Sequence, residues 1–307
     1  MKIPLISIFI ILIAGSVAFA QSFTKPGIIV LGISQDGGYP HAGCMKDCCN
    51  YAWQHPEAQR FAASLALIDP VAGKWFLVEA TPDMKEQLQL FRELTGGEYN
   101  YLPDAIFITH AHIGHYTGLM ELGREVMNTS SVPVYVLPQM KSFLETNGPW
   151  SQLVKLENIS VTEIYPGNEV AVSENISVRS FTVPHRDEYS ETAGFNIDTP
   201  QKSYLFIPDI DKWGKWDDDI IKRVQLADVA FIDGTFLSAD ELPGRNMDEI
   251  PHPFIRETID LFIDQTAETR SKINFIHLNH SNPLLRDTAN TILTQTGMKV
   301  SVQGAYY

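Results

Sequence analysis

Three histidines within six residues place the strongest constraint on how this chain can fold. His110, His112 and His115 follow the apolar segment Ala105–Thr109, which is typical of a buried strand. If the strand continues, side chains two positions apart project from the same face, which brings His110 and His112 together. Neutral imidazoles on one face bind borderline-soft divalent metals such as zinc. The pattern therefore predicts a metal site at the end of a strand.

Three further segments place histidine or aspartate at the end of a predicted strand. They are Ile176–Val183 before His185, Ser203–Ile207 before Asp209, and Ile273–Leu278 with His277 and the nearby His280. Loops at one edge of a sheet commonly carry binding and catalytic residues. Helical patterns lie between several of the strands, which predicts an α/β or α+β domain. We therefore expect one site, assembled from loops at a single sheet edge.

Length and charge narrow the classes of protein that fit. The 307 residues show no repeat, low-complexity tract or obvious linker, so we expect a single domain over residues 21–307. The net charge is −14 and no basic tract is present, which argues against a nucleic-acid partner, because duplex binding needs clustered Lys and Arg. The expected partner is a small-molecule substrate, and the sequence leaves the oligomeric state open.

The first twenty residues have the pattern of a secretory signal. Lys2 precedes an apolar run over residues 3–14, and the small-x-small tripeptide at residues 18–20 precedes Gln21. The run is shorter than the roughly 20 residues that span a bilayer, although an uncleaved membrane anchor is the alternative. The sequence therefore predicts a periplasmic or secreted protein, cleaved after Ala20, with no stable membrane insertion afterwards.

Three cysteines lie close together in one predicted loop. Cys44, Cys48 and Cys49 are an odd number of thiols, and the vicinal pair cannot bridge without strain. Export permits a disulfide from Cys44 to Cys48 or to Cys49. The other interpretation is a structural zinc clip, completed by a nearby residue such as His41. Residues alone leave both possibilities open.

The order of the histidine motifs resembles that of the metallo-β-lactamase superfamily. That signature is His-x-His-x-Asp-His, followed by a single His, an Asp and a final His. The chain matches it with His110, His112 and His115, then His185, Asp209 and His280 or His277. The resemblance implies an α+β fold, a four-layer αβ/βα sandwich with the metal at the sheet edges.

Within the superfamily, the chain resembles the family of pyrroloquinoline-quinone biosynthesis B proteins. The matching stretches are Gly37-Gly38-Tyr39-Pro40, Thr81-Pro82-Asp83, Phe231-Ile232-Asp233-Gly234-Thr235 and the segment from His277 to Pro283. The cysteine loop resembles that family's Cys-x-Cys-x-x-Cys zinc clip. Cys44 and Cys49 match its first and last positions, Lys46 replaces the middle cysteine, and Cys48 is additional.

The ligand chemistry predicts one tightly bound zinc ion. His110, His112 and His185 would leave a fourth position for water, whose pKa zinc lowers from 15.7 to about 7. Asp209 would orient that water or bridge to a second ion held by His115 and His280 (or His277). Gly114 stands where the superfamily has Asp, so we expect the second ion to be weak or absent. Asp209 and His280 are the predicted catalytic residues.

Three functions are compatible with this pattern. The first is an exported metal-dependent hydrolase that acts on an ester, lactone, amide or phosphodiester. The second is a role in the synthesis or transport of the quinone cofactor, in which iron and oxygen chemistry replaces zinc, since histidine and carboxylate ligands suit iron also. The third is a non-catalytic carrier of a small molecule or metal.

Overall fold

The computed structural model describes residues 23–242, 244–246, 249–286, 291 and 293–307. A first mixed sheet has six strands in chain order: β1 Gly27–Gly32, β2 Ser64–Asp69, β3 Lys74–Val78, β4 Ala105–Phe107, β5 Val132–Val136 and β6 Ile159–Glu163. Strands β1 to β3 are antiparallel, and β3 to β6 are parallel.

A second mixed sheet follows in the chain and has seven strands. They are β7 Glu169–Ala171, β8 Ser177–Val183, β9 Thr192–Asp198, β10 Ser203–Ile207, β11 Val229–Asp233, β12 Ile273–Ile276 and β13 Lys299–Val300, which also lie side by side in this order. Strands β7 to β10 are antiparallel, and β10 to β13 are parallel.

Eight α-helices connect or cover the strands in the described residues. They are α1 Asp47–Gln54, α2 Met84–Leu94, α3 Ile113–Tyr116, α4 Pro138–Thr146, α5 Trp150–Lys155, α6 Ile220–Leu226, α7 Ile255–Phe262 and α8 Ala267–Ser271. Within the described part of the chain, no helix combines the length and apolarity that crossing a bilayer requires. The predicted signal at residues 1–20 lies outside the described residues.

The strands of the first sheet are buried on both faces, and alternate side chains enter different cores. Ile28, Val30 and Leu65 belong to the core shared with the second sheet. Their neighbours Ile29 and Leu31 belong to a second core, together with side chains of α2, α4 and α5. Such alternation is what a strand between two apolar layers requires. Helices α6 and α7 pack on the second sheet, which completes the predicted α+β sandwich of four layers.

The strands that have polar site residues at or just after their ends all end at one edge of the sandwich. Strands β1, β3 and β4 run in the same direction and all end there, as do β8, β10, β11 and β12 of the other sheet. Backbone hydrogen bonds join the two sheets at this edge, from Gln35 N to Leu278 O (2.8 Å) and from Leu278 N to Ile33 O (2.8 Å). The loops after β1 and β12 are therefore held side by side.

One predicted helix differs from the structure. The apolar pattern from Gly118 to Met127 is typical of an α-helix, but the segment forms a 3-10 helix that extends only over Thr117–Leu122. A Cβ on Gly118 would lie 2.2 Å from the carbonyl oxygen of Thr81. This segment therefore packs against the backbone before α2, a tertiary contact that the helical pattern does not reveal.

Candidate metal centre

Four side chains converge on one point at the joined edge, and they form the first metal position. His110 Nε2 lies 2.9 Å from His112 Nδ1, which lies 3.3 Å from His185 Nε2. Asp209 Oδ2 lies 3.5 Å from His110 Nε2 and 3.2 Å from His185 Nε2. Ligands at zinc-bonding distance in a tetrahedron are separated by about 3.3 Å. The spacing therefore matches that of a tetrahedral metal site.

Contacts behind these ligands fix the orientation of the rings. His110 Nδ1 lies 2.9 Å from Thr109 Oγ1, and His112 Nε2 lies 2.8 Å from the carboxylate of Glu188. A carboxylate on the far nitrogen of a ligating histidine orients the ring and makes it a stronger ligand. The histidine motifs in the sequence do not point to Glu188, so this contact is found only in the structure.

The protonation tendencies of these residues also suit a cation. Burial lowers the pKa of His110 well below its usual value, and burial lowers that of His112 as well. Burial alone would raise the pKa of Asp209, but His185 and His252 hold it well below its usual range. Neutral imidazoles beside an ionised carboxylate are the donor set that zinc prefers.

A second set of donors lies beside the first and forms the second metal position. Asp36 Oδ1 lies 3.4 Å from His115 Nε2 and 3.6 Å from His277 Nε2. His115 Nε2 is also 3.7 Å from Asp209 Oδ2. Asp209 therefore lies between the two positions, where one carboxylate can contact both.

Buried polar atoms without hydrogen bonds concentrate in the second position. Within the described part of the chain, Asp36 Oδ1, both ring nitrogens of His115 and His277 Nε2 are buried and make no hydrogen bond. Each such atom costs roughly 1–3 kcal/mol when it is left unsatisfied. A cation bound by Asp36 Oδ1, His115 Nε2 and His277 Nε2 would satisfy these three atoms together, so the residues fit a metal.

A second carboxylate lies behind His115. Glu79 is fully buried directly after β3, and its Oε1 lies 3.6 Å from His115 Nδ1. Burial alone would lower the pKa of His115, but the charges of Glu79 and Asp36 raise it to about 10. A metal at this position would therefore displace a proton that His115 otherwise holds.

A buried network supports the other side of the centre. His252 Nδ1 lies 2.9 Å from Asp233 Oδ2 and 3.2 Å from Asp209 Oδ1. Burial alone would lower the pKa of His252, but Asp233 and Asp209 raise it to about 9. Thr235 Oγ1 lies 3.0 Å from His277 Nδ1 and so orients that ring.

A separate cluster contains the three cysteines and His280. Cys44 Sγ lies 3.8 Å from Cys48 Sγ, which lies 4.0 Å from Cys49 Sγ. His280 Nδ1 is 3.7 Å from Cys48 Sγ and 3.5 Å from Cys49 Sγ. Sulfur atoms around tetrahedral zinc are about 3.8 Å apart, and these three cysteines form no disulfide. The spacing therefore fits a closed Cys₃His zinc site.

This cluster corrects two expectations from the sequence. His280, predicted as a catalytic residue and second-metal ligand, lies with the thiols, and His277 occupies the place beside His115. The ring of His41 lies against His280 outside this group of donors, and its backbone N–H donates to Cys49 Sγ. His280, not His41, is therefore placed as the fourth donor. The turn from His277 to His280 carries one ring to each site.

The structure brings together most of the predicted site residues and adds others. His110, His112, His185 and Asp209 form one group, and His115 and His277 lie next to it. Sequence reasoning did not find the roles of Asp36, Glu79, Asp233 and His252. Glu79 follows β3 directly, Asp233 is the last residue of β11 and Asp36 lies four residues after β1, so the strand-end criterion that found Asp209 could have found these three.

The family of the chain follows from a comparison with known proteins. Residues 74–293, more than half of the chain, match the family model described as the beta-lactamase superfamily domain. The chain belongs to this superfamily. The α+β fold and the resemblance predicted from the sequence are thereby confirmed, and the histidine motif lies inside the matched range.

Individual relatives extend the match to nearly the whole chain. Coenzyme PQQ synthesis protein B of Methylorubrum populi is 25% identical over 289 residues, which cover 84% of this chain and 91% of the relative. The Zn²⁺-bound PqqB structure from Methylobacterium extorquens has a TM-score of 0.76 at 21% identity, covering 91% of this chain and 99% of that chain. A diphosphatase of the PhnP family has a TM-score of 0.67 at 18% identity, covering 92% and 97%. These two structures share the fold.

Proposed function

We propose that this protein is a metal-dependent hydrolase whose substrate is an ester, lactone, amide or phosphodiester. The observation that carries the proposal is the convergence of His110, His112, His185 and Asp209 within 3.5 Å of their nearest partners. Zinc at such a position acts as a Lewis acid and lowers the pKa of bound water to about 7, which provides a nucleophile at neutral pH.

Residues around the two metal positions would have the other roles in the proposed reaction. Asp209 touches both metal positions and is placed to accept a hydrogen bond from a water molecule between them. His252 Nδ1 faces Asp233 and Asp209, so these carboxylates fix its ring beside the centre. His112 and Asp36 have side chains that are 14% and 33% exposed, so solvent and substrate reach the centre from their side.

The cysteine cluster has a structural role in this proposal. Its four donors, Cys44, Cys48, Cys49 and His280, would fill the four positions of a structural zinc ion and leave none open for a substrate. Burial raises the pKa of Cys49 to about 12, so this thiol is inert unless a cation displaces its proton. We assign zinc to this cluster on the basis of its donors.

A role in coenzyme PQQ synthesis is the second candidate. It is supported by the relatives of that name, which are similar over most of the chain. Because histidine and carboxylate donors also suit iron, this role would favour iron in the first position and a reaction with oxygen.

Metal analysis combined with activity measurements distinguishes these functions. Protein purified without added metal is assayed on p-nitrophenyl acetate, a lactone and bis(p-nitrophenyl) phosphate, and oxygen uptake is measured in parallel. Turnover of one substrate class by zinc-loaded protein supports the hydrolase. Iron with oxygen uptake and no hydrolysis supports the second candidate, whereas bound metal without any turnover supports a carrier.

Export is part of the proposed function and has its own test. The support is the signal pattern of residues 1–20, with a cleavage site after Ala20. N-terminal sequencing of the protein from its native host is expected to begin at Gln21. A chain that retains Met1 and stays in the cytosolic fraction contradicts export.

A further inference from the structure

Gly114 is the position where the histidine motif lacks an acid, and Asp36 fills the space beside it. A Cβ built on Gly114 would lie 2.0 Å from Asp36 Oδ1 and 2.5 Å from Asp36 Cα. Contacts this short do not occur between real atoms, and the second involves backbone, so no rotamer of Asp36 relieves it. Position 114 therefore has to be glycine for the loop of Asp36 to approach this closely.

The loop around Asp36 is held firmly in this place. Gln35 N donates to Leu278 O (2.8 Å), and Gly38 N donates to Gln35 O (2.9 Å). The side-chain amide of Asn279 donates to the side-chain oxygen of Gln35. Gln35 is thus fixed against the loop that carries His277, and the bond from Gly38 to Gln35 closes a turn around Asp36.

The carboxylate of Asp36 faces one ring nitrogen of each of two histidines. Its Oδ1 lies within 3.6 Å of His115 Nε2 and His277 Nε2, and none of these three buried atoms makes a hydrogen bond in the described chain. An oxygen and two imidazole nitrogens facing each other at this spacing are a donor set for a divalent cation.

We propose that Asp36 is a ligand of the second metal position and supplies, from a different loop, the carboxylate that Gly114 lacks. The second position then has Asp36, His115 and His277 as its own ligands and shares Asp209 with the first. The second ion is held tightly, contrary to the expectation drawn from Gly114 alone. The inference rests on the proposed metal centre but does not require hydrolysis.

Metal counting on the wild type and on single-residue variants tests this assignment. Wild type, Asp36→Ala, Asp36→Asn and Gly114→Ala are dialysed against limiting zinc with a competing chelator, and zinc per chain is measured. Asp36→Ala is expected to lose one zinc ion per chain, because zinc affinity at the second position should fall more than about 100-fold. Loss of a residue that only hydrogen-bonds to a metal ligand lowers metal affinity about 10–100-fold, and loss of a ligand itself should lower it further. Asp36→Asn keeps the shape and is expected to weaken the same ion.

Gly114→Ala is the most discriminating variant, because it removes no polar group. Its new methyl group displaces the backbone of Asp36, so it is expected to lose the same ion as Asp36→Ala. Asp217→Asn changes an exposed acid that lies outside the groups of metal donors, so it is the matched control and retains every ion. His112→Ala lowers the first ion instead, which separates the two positions.

Two results would overturn the assignment. One is wild-type zinc content and affinity in both Asp36 variants. The other is full zinc content in Gly114→Ala with an unchanged melting temperature, which would show that Asp36 does not depend on the missing side chain. Because the readout is zinc and not turnover, failure of the hydrolase proposal leaves this test intact.

Discussion

The histidine–aspartate centre and the cysteine cluster share two loops but differ in chemistry. The loop after β1 leads to Asp36 in one site and to Cys44 in the other, and the turn after β12 gives His277 to one and His280 to the other. Imidazole and carboxylate donors leave room for a water and a substrate, whereas three thiols and an imidazole close the coordination sphere. We infer from this comparison that the histidine–aspartate centre performs the proposed reaction and that the cysteine cluster holds in place the loops that form this centre.

Removing a ligand of the first position is expected to have the largest effect. His112→Ala should weaken zinc at that position by more than about 100-fold and abolish turnover, because a ligand is lost and not merely an outer contact. Zinc content and hydrolysis rate are measured together with circular dichroism. His55→Ala is the control, since the ring of this half-buried histidine stacks on Tyr51 and lies outside the groups of metal donors. Equal loss of zinc in both variants would contradict the assignment.

Removing a ligand from the cysteine cluster is expected to lower the stability of the protein more than it changes zinc binding at the first position. His280→Ala removes one ligand of the cluster, so the melting temperature should fall by several degrees, given that 1 kcal/mol shifts it by roughly 2–4 °C in domains of 150–250 residues. Zinc at His110, His112 and His185 should remain. Differential scanning calorimetry and zinc analysis provide the two readouts.

His41→Ala is the matched control for that experiment. The ring of His41 lies against His280 at 4.6 Å between centroids, but its side chain does not reach the sulfur atoms as a ligand. We expect its melting temperature to stay close to that of wild type. If His41→Ala destabilises the protein as much as His280→Ala does, packing and not metal binding explains the role of His280.

Changing an outer contact of the first position is expected to have the smallest effect. Glu188→Gln keeps the shape of the side chain but removes the negative charge that faces His112 Nε2 at 2.8 Å. Zinc affinity should fall by about 10-fold, the lower end of the range for such partners. Competition with a chelator measures it, and the exposed Glu174→Gln serves as the control. A loss as large as that of His112→Ala would place Glu188 among the ligands themselves.

Much of the centre could be predicted from short stretches of sequence. His110, His112 and His115 lie in one motif after an apolar strand, and His185 and Asp209 follow strands in the same way. Parallel strands bring their carboxyl ends to one edge, so local patterns already predict that these residues meet. The proximity of Cys44, Cys48 and Cys49 in the sequence likewise predicted either a disulfide or a zinc clip in one loop.

Only the tertiary structure decided how the ligands are divided between the sites. His277 and His280 are three residues apart and equally good ligands, and the turn between them, with His277 at a φ of 65°, sends one ring to each site. Gly114 looks like a lost ligand in the sequence, but the space above it is filled by Asp36. The physical reason is that a motif records which donors follow each strand, whereas the place where a side chain lies depends on backbone contacts between loops that are distant in sequence.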